Sequence, residues 1–156
     1  MIMRVVPGFI WAAALLCPAV VQAELGGGAA SVAADKGRMA ARMNSVAMGR
    51  YTRHELTRLN SGSVREFTNA SGAVFAVTWS GPGKPDLRTL LGQYFATFQA
   101  SSIATGRQMH SLRHPSEVNQ ADLQIQSSGH MGWFRGVAFV PSLAPAGFAA
   151  SDLPQP

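Results

Sequence analysis

Val64-Arg65-Glu66-Phe67-Thr68-Asn69-Ala70-Ser71-Gly72-Ala73-Val74-Phe75-Ala76-Val77-Thr78-Trp79 decides the fold of this chain. Asn69 to Gly72 is a cluster of turn formers. It separates a short strand, Val64 to Thr68, from a second run, Ala73 to Trp79. That second run is apolar at nearly every position, so both its faces are covered and it belongs near the centre of a sheet. Upstream, Tyr51, Arg53, Glu55 and Thr57 alternate with Thr52, His54, Leu56 and Arg58, the period of a half-buried strand. Asn60-Ser61-Gly62-Ser63 supplies the turn that follows. Three strands joined by short turns predict an antiparallel meander.

Working outward, Val32, Met39, Met43 and Val46 fall at helical spacing, with Asp35, Lys36, Arg38 and Arg42 on the polar side. A helix is predicted from Ser31 to Met48, with Ser31 as its cap and Gly49 as its stop. Ser80-Gly81-Pro82-Gly83-Lys84-Pro85 is the strongest breaker, and Asp86 stands where a helix cap belongs. Leu87, Leu90, Leu91, Tyr94, Phe95 and Phe98 then share one wide face, predicting a helix from Asp86 to about Ser102. Residues 103–119 read as a long irregular connection. Leu123 to Ser127 alternates as a fourth strand, and Met131 to Val140 is a fifth, in which Gly132 and Gly136 suggest a bend or bulge. The expected fold class is α+β: a largely antiparallel five-stranded sheet, a three-stranded meander plus a C-terminal hairpin, packed against the amphipathic Asp86 helix, with a further N-terminal helix. The expected organisation is a signal peptide at 1–23, a flexible leader at 24–30, a single domain at 31–140 and a Pro/Ala-rich tail at 141–156.

The signal-peptide reading rests on order. Arg4 gives one positive charge, Val5 to Val21 is almost wholly apolar, and Val21-Gln22-Ala23 ends it with small residues where a signal peptidase cleaves. Pro7 and Pro18 interrupt the apolar run, which lies at the short limit for a spanning helix. Retention as an anchor and lipid attachment at Cys17 are the alternatives; Leu16 is too large for the residue preceding a lipid-modified cysteine. The expected location is therefore the periplasm or the exterior, with no transmembrane segment after cleavage. Cleavage removes the chain's single cysteine, excluding a disulfide framework and thiol chemistry in the mature form. It leaves 12 basic against 8 acidic residues. Eleven of the 13 basic residues in the precursor are arginines, and they are spread singly along the chain. A nucleic-acid binder clusters such charges on one face among aromatics, so nucleic acid is not an expected partner.

The pieces Leu25-Gly26-Gly27, Tyr51-Thr52-Arg53-His54-Glu55, Val64-Arg65-Glu66-Phe67, Gly72 to Pro82, Pro85-Asp86-Leu87-Arg88, Leu91-Gly92-Gln93-Tyr94-Phe95, Gly129-His130-Met131 and Pro145-Ala146-Gly147-Phe148 are distinctive together. In that order the chain resembles DUF2844, a bacterial family of exported proteins without assigned activity. The resemblance implies an address and an architecture, and no mechanism, cofactor or catalytic residue.

The candidate residues are few. His110 and His114 share a helix spacing, but Pro115 disfavours helix there and no further ligand has metal spacing, so no metal is expected. His54 and Glu55 are neighbours on a strand and point to opposite faces. Glu55 and Glu66 are expected as cross-strand partners of Arg53 or Arg65; the sharper alternative has both of them lining a polar site shared with His54. His130 lies in a Gly-flanked hairpin near Ser127 and Ser128, without a Gly-x-Ser-x-Gly elbow. Lys84 in its Gly-Pro segment lacks phosphate-loop spacing, and the segment reads as a rigid linker. His130, His54 and Glu66 remain weak catalytic candidates, with no cofactor expected. The favoured expectation is a non-enzymatic envelope protein binding a partner or small ligand. Its rivals are a small periplasmic hydrolase using a His/acid site and a subunit of a surface or secretion assembly with an exposed strand edge as its contact.

Overall fold

The computed structural model describes residues 24–104 and 116–154. The expected signal peptide, His110 and His114 lie outside them. The helices are α1 (Ala29–Arg38), α2 (Leu87–Leu91) and α3 (Phe95–Ala104), with a single 3-10 turn, Gly92–Tyr94, between α2 and α3. The strands are β1 (Arg42–Ala47), β2 (Tyr51–Thr57), β3 (Ser63–Asn69), β4 (Val74–Pro82), β5 (Ser116–Gln120), β6 (Leu123–His130) and β7 (Trp133–Phe139). They form one antiparallel sheet in the order β1-β2-β3-β4-β7-β6-β5.

The meander forms where the turn chemistry dictates. Asn69 Oδ1 accepts hydrogen bonds from the Ser71 N–H, the Ser71 hydroxyl and the Ala73 N–H, which folds the chain back on itself at Gly72, φ +84°. β4 then pairs with β3 through a bulge: Phe67 opposes Ala76, and Thr68 opposes Val74. Phe75 is the extra residue. It joins Ala76 on one side of the sheet while Val74 and Val77 serve the other, so β4 is buried on both faces from Val74 to Trp79.

The sheet has seven strands, and the expectation of five is corrected. The two missed strands are its edges. β1 falls inside the segment expected as a helix to Met48. The helix instead ends at Arg38: Ala40 takes a left-handed φ of +46°, and the Ala41 N–H reaches back to the Lys36 carbonyl. Gly49, φ +80°, then turns a hairpin that lays Arg42–Ala47 against Thr57–Thr52. Met43 and Val46, three apart, mimic a helical face but stand on opposite faces of an edge strand that is exposed throughout. β5 was hidden because Val118 is its only apolar residue, opposite Ile125. The expected Asp86 helix is also divided. Asp86 caps it as expected, accepting from the Thr89 N–H, but Gly92 at φ +49° breaks it. A side chain at Gly92 would overlap that of Glu24.

Two cores result. α1, α2 and α3 cover one face over Val32, Leu56, Val77, Trp79, Leu90 and Phe98. The segment 24–30, expected as a leader, is anchored here: Leu25 is fully buried, and Gly26 and Gly27 exchange backbone hydrogen bonds with Val74 at 2.8 Å each. The second face carries an aromatic cluster of Tyr51, Phe67, Phe75, Phe139 and Phe148. Residues 141–154 roof it, with Phe148 edge-on to Phe75 at 5.0 Å and Leu153 buried. Asn69 Nδ2 donates to the Leu143 carbonyl at 2.8 Å, and Asp122 accepts from the Ser142 N–H at 3.0 Å, fixing that roof at two points.

Gly136 makes no bend. β7 runs in unbroken register with β4 and β6, and Trp79 stands directly opposite Gly136 with its indole over the space a Cβ would fill. Gly136→Val is therefore expected to destabilise the fold by about 1–3 kcal/mol through overpacking. Gly37→Ala, inside α1 with open space around it, is expected to stabilise by about 0.5–1 kcal/mol. Urea denaturation of the two variants checks both signs.

Candidate functional site

β2 and β3 pair so that His54 stands opposite Glu66, and Thr52 opposite Thr68, all facing α1. His54 is held at both ring nitrogens: Nδ1 lies 2.8 Å from the Ser45 hydroxyl and Nε2 3.0 Å from the Thr68 hydroxyl. Burial pushes its pKa down, so the ring is neutral at pH 7. Glu55 points to the other face, where Arg65, its direct partner, donates Nε–H to Oε1 at 2.9 Å. The expected cross-strand pairing thus holds for Glu55 but not for Glu66.

Glu66 is 2% exposed and faces Asp35 of α1, which is 0% exposed. Burial first, then the neighbouring Asp35 carboxyl, pushes the Glu66 pKa up to about 9. The Asp35 pKa is also raised, chiefly by burial, against the opposing pull of the Glu66 carboxyl and then of Arg38, whose Nε lies 3.7 Å from Oδ1. Both Asp35 oxygens and Glu66 Oε2 are buried without a partner at ordinary hydrogen-bond distance. The two carboxyls face one another in the interior, and a proton kept on Glu66 spares the pair a second buried charge.

The sequence candidates separate on this geometry. His54 and Glu66 share a face: Glu66 is buried under α1, while His54 is half-buried with both ring nitrogens at hydrogen-bond distance from hydroxyls. His130 is exposed at the far end of β6, opposite Trp133 and on the other side of β4. Ser127 is buried, and Ser128 accepts a hydrogen bond from Arg135 at 3.4 Å. Among the described residues no group of three or more His, Cys, Asp or Glu could hold a metal ion, and no helix is long and apolar enough to cross a membrane.

The site that sequence reasoning missed lies beside the carboxyl pair. Gly81 packs directly on Gly62, and Asn60 Nδ2 donates to the Pro82 carbonyl at 3.1 Å. These contacts bring the β2–β3 turn against the segment after β4. Arg58 and Lys84 thereby come to the same cleft as Arg38 at the end of α1. The cleft measures about 370 Å³. Met39, Val64, Pro85 and Leu90 give it apolar walls. The one carboxylate among its described lining residues, Asp86, is occupied: Thr89 donates both its hydroxyl, at 2.7 Å, and its N–H, and these bonds hold the Asp86 pKa below the usual carboxylate range. Three cations thus meet one committed anion. Lys84 was visible as the lysine of a Gly-Pro segment; that Arg38 and Arg58 would join it was not, because they stand 20 residues apart and converge only through the meander.

The buried pair has a readable pH signature. Glu66 binds a proton in the folded chain up to about pH 9 but in the unfolded chain only up to the ordinary carboxyl value of 4.5. Between those values the folded state holds the extra proton, so stability falls as pH rises. Glu66→Gln keeps the shape and removes the titration. Thermal melts from pH 5 to 9 are expected to show a declining melting temperature for the native chain and a flatter profile, higher at pH 8–9, for the variant.

No curated protein and no solved structure matches the chain. A family sequence model does, over residues 21–153, under the description "Protein of unknown function". The match spans all seven strands and three helices from the segment before Leu25 to the buried Leu153, and by it the chain belongs to the DUF2844 family.

Proposed function

We propose that this chain is an exported binding protein whose ligand is a small anion with an apolar body, held in the Arg38–Arg58–Lys84 cleft. One observation carries the reading: three cationic side chains converge on apolar walls, and the only carboxylate among them is tied to Thr89. Among the described residues Arg58 and Lys84 have no ion-pair partner, and Arg38 keeps only its 3.7 Å pairing with the buried Asp35. Guanidinium groups suit carboxylate and phosphate oxygens, and Met39, Val64 and Leu90 suit an alkyl or aryl portion. Export is supported by the charged, apolar and small-residue order of residues 4–23.

Calorimetry with octyl phosphate, against inorganic phosphate and octanol, tests the cleft. Octyl phosphate is expected to bind best and to weaken with added salt. Arg58→Ala and Lys84→Ala are each expected to reduce its affinity about tenfold, the value of one charge-assisted hydrogen bond. Equal binding of octanol, or no effect of either substitution, rejects the reading. Mass spectrometry of the protein recovered from a secreting host is expected to show a chain beginning at Glu24; a chain retaining Met1 rejects the export half.

A further inference from the structure

The roof over the second face stops short. Residues 141–154 cover the aromatic cluster, and beyond their edge at Ala150 and Ser151 a second cleft of about 320 Å³ opens over β5 and β6. Strand register builds its floor. Glu117 stands opposite Gln126, and Asn119 opposite Gln124; Gln124 and Gln126 in turn oppose Phe139 and Val137 of β7. Directly paired residues point to the same side of a sheet. One carboxylate and three carboxamides therefore form a two-by-two polar grid beside an apolar strip. Among the described residues no hydrogen bond or ion pair engages any of these four side chains, and Glu117 is the only charged residue lining the cleft.

We propose that this grid is a binding subsite for a neutral saccharide, separate from the basic cleft on the opposite face. A carboxamide offers a donor and an acceptor side by side, which matches a pair of neighbouring hydroxyls, each of which both donates and accepts. The carboxylate of Glu117 accepts from two more. Neighbouring strands hold the grid rows about 4.8 Å apart, the scale of one sugar ring. Val137 and the rim of Phe139 lie where the C–H face of that ring would rest. The cleft falls at the lower end of the usual pocket range, room for one or two rings. Anionic ligands meet Glu117 and no cation. An extended peptide could pair only along the outer edge of β5, beside the grid and not over it, because both edges of β6 are already bonded, to β5 and to β7.

The experiment is a nuclear magnetic resonance titration of the mature chain with maltose, cellobiose and N,N′-diacetylchitobiose, with an uncharged tetrapeptide of alanine and asparagine as the contrasting probe. At least one disaccharide is expected to shift the backbone amides of Glu117 to Asn119 and Gln124 to Gln126 with a Kd of about 1 mM. Gln124→Leu and Gln126→Leu are each expected to weaken that binding about tenfold while leaving octyl phosphate binding unchanged, which separates the fate of this site from that of the basic cleft. Both positions are on the solvent side of the sheet, and an unchanged melting temperature shows that the variants are folded. No disaccharide shift at about 50 mM, an equal response to the tetrapeptide, or full binding by both leucine variants would overturn the proposal.

Discussion

β4 has to serve two cores at once, and the structure is arranged around that demand. A regular strand alternates its side chains, and Val74 to Trp79 in strict alternation would give neither face enough volume near the turn. The bulge opposite Phe67 resolves this by sending Phe75 and Ala76 to the same side. Phe75 becomes the centre of the aromatic cluster, touching Tyr51, Phe67, Phe139 and Phe148. Val77 and Trp79 keep the helical face. Everything else accommodates β4: Gly136 and Ala138 thin the neighbouring strand under the Trp79 ring, and the chain on either side of the sheet supplies a cover.

That centre was legible because its signal is local. A continuous apolar run bounded by Asn69–Gly72 and by Gly81-Pro82 admits few readings, and the meander from Tyr51 to Trp79 follows from turn chemistry. The edges were illegible for a physical reason. Arg42–Ala47, exposed on both faces, has no buried side to impose a period of two, and Ser116–Gln120 buries only Val118, too little to show an alternation. Met39, Met43 and Val46 then supplied an accidental helical spacing. Only the left-handed Ala40 and the Gly49 hairpin, both set by the return onto β2, distinguish strand from helix there. The Asp86 helix was legible in its cap and its face, and its break at Gly92 was not, since the apolar spacing from Leu87 to Phe98 runs on through the glycine.

The polar groups show the same division. That His54 and Glu55 face apart, and that Glu55 pairs across the strand with Arg65, follows from strand geometry alone. That Glu66 meets Asp35 depends on where α1 docks, which no spacing encodes. The outcome separates two kinds of polarity. The buried carboxyls are a cost the fold bears where α1 meets the sheet, moderated by one proton and by Arg38. The cations around Met39 and Leu90 are solvent-facing and unspent. Arg38 belongs to both groups, so the surface cleft and the buried pair share one charge.

The pairing of β4 with β7 joins residues more than fifty positions apart, from Pro82 with Trp133 to Ala76 with Phe139, across the whole helical excursion. Until β7 arrives, the meander from β1 to β4 ends in a bare apolar edge, and Trp79 has no glycine to lie over. Contacts this distant make closure slow compared with the local turns that precede it. A chain emerging from its N-terminus therefore remains open along the middle of its future sheet until most of its length is available. Under the export proposed above, such a delay is useful, because the seam that would lock the sheet prematurely is the last to be stitched.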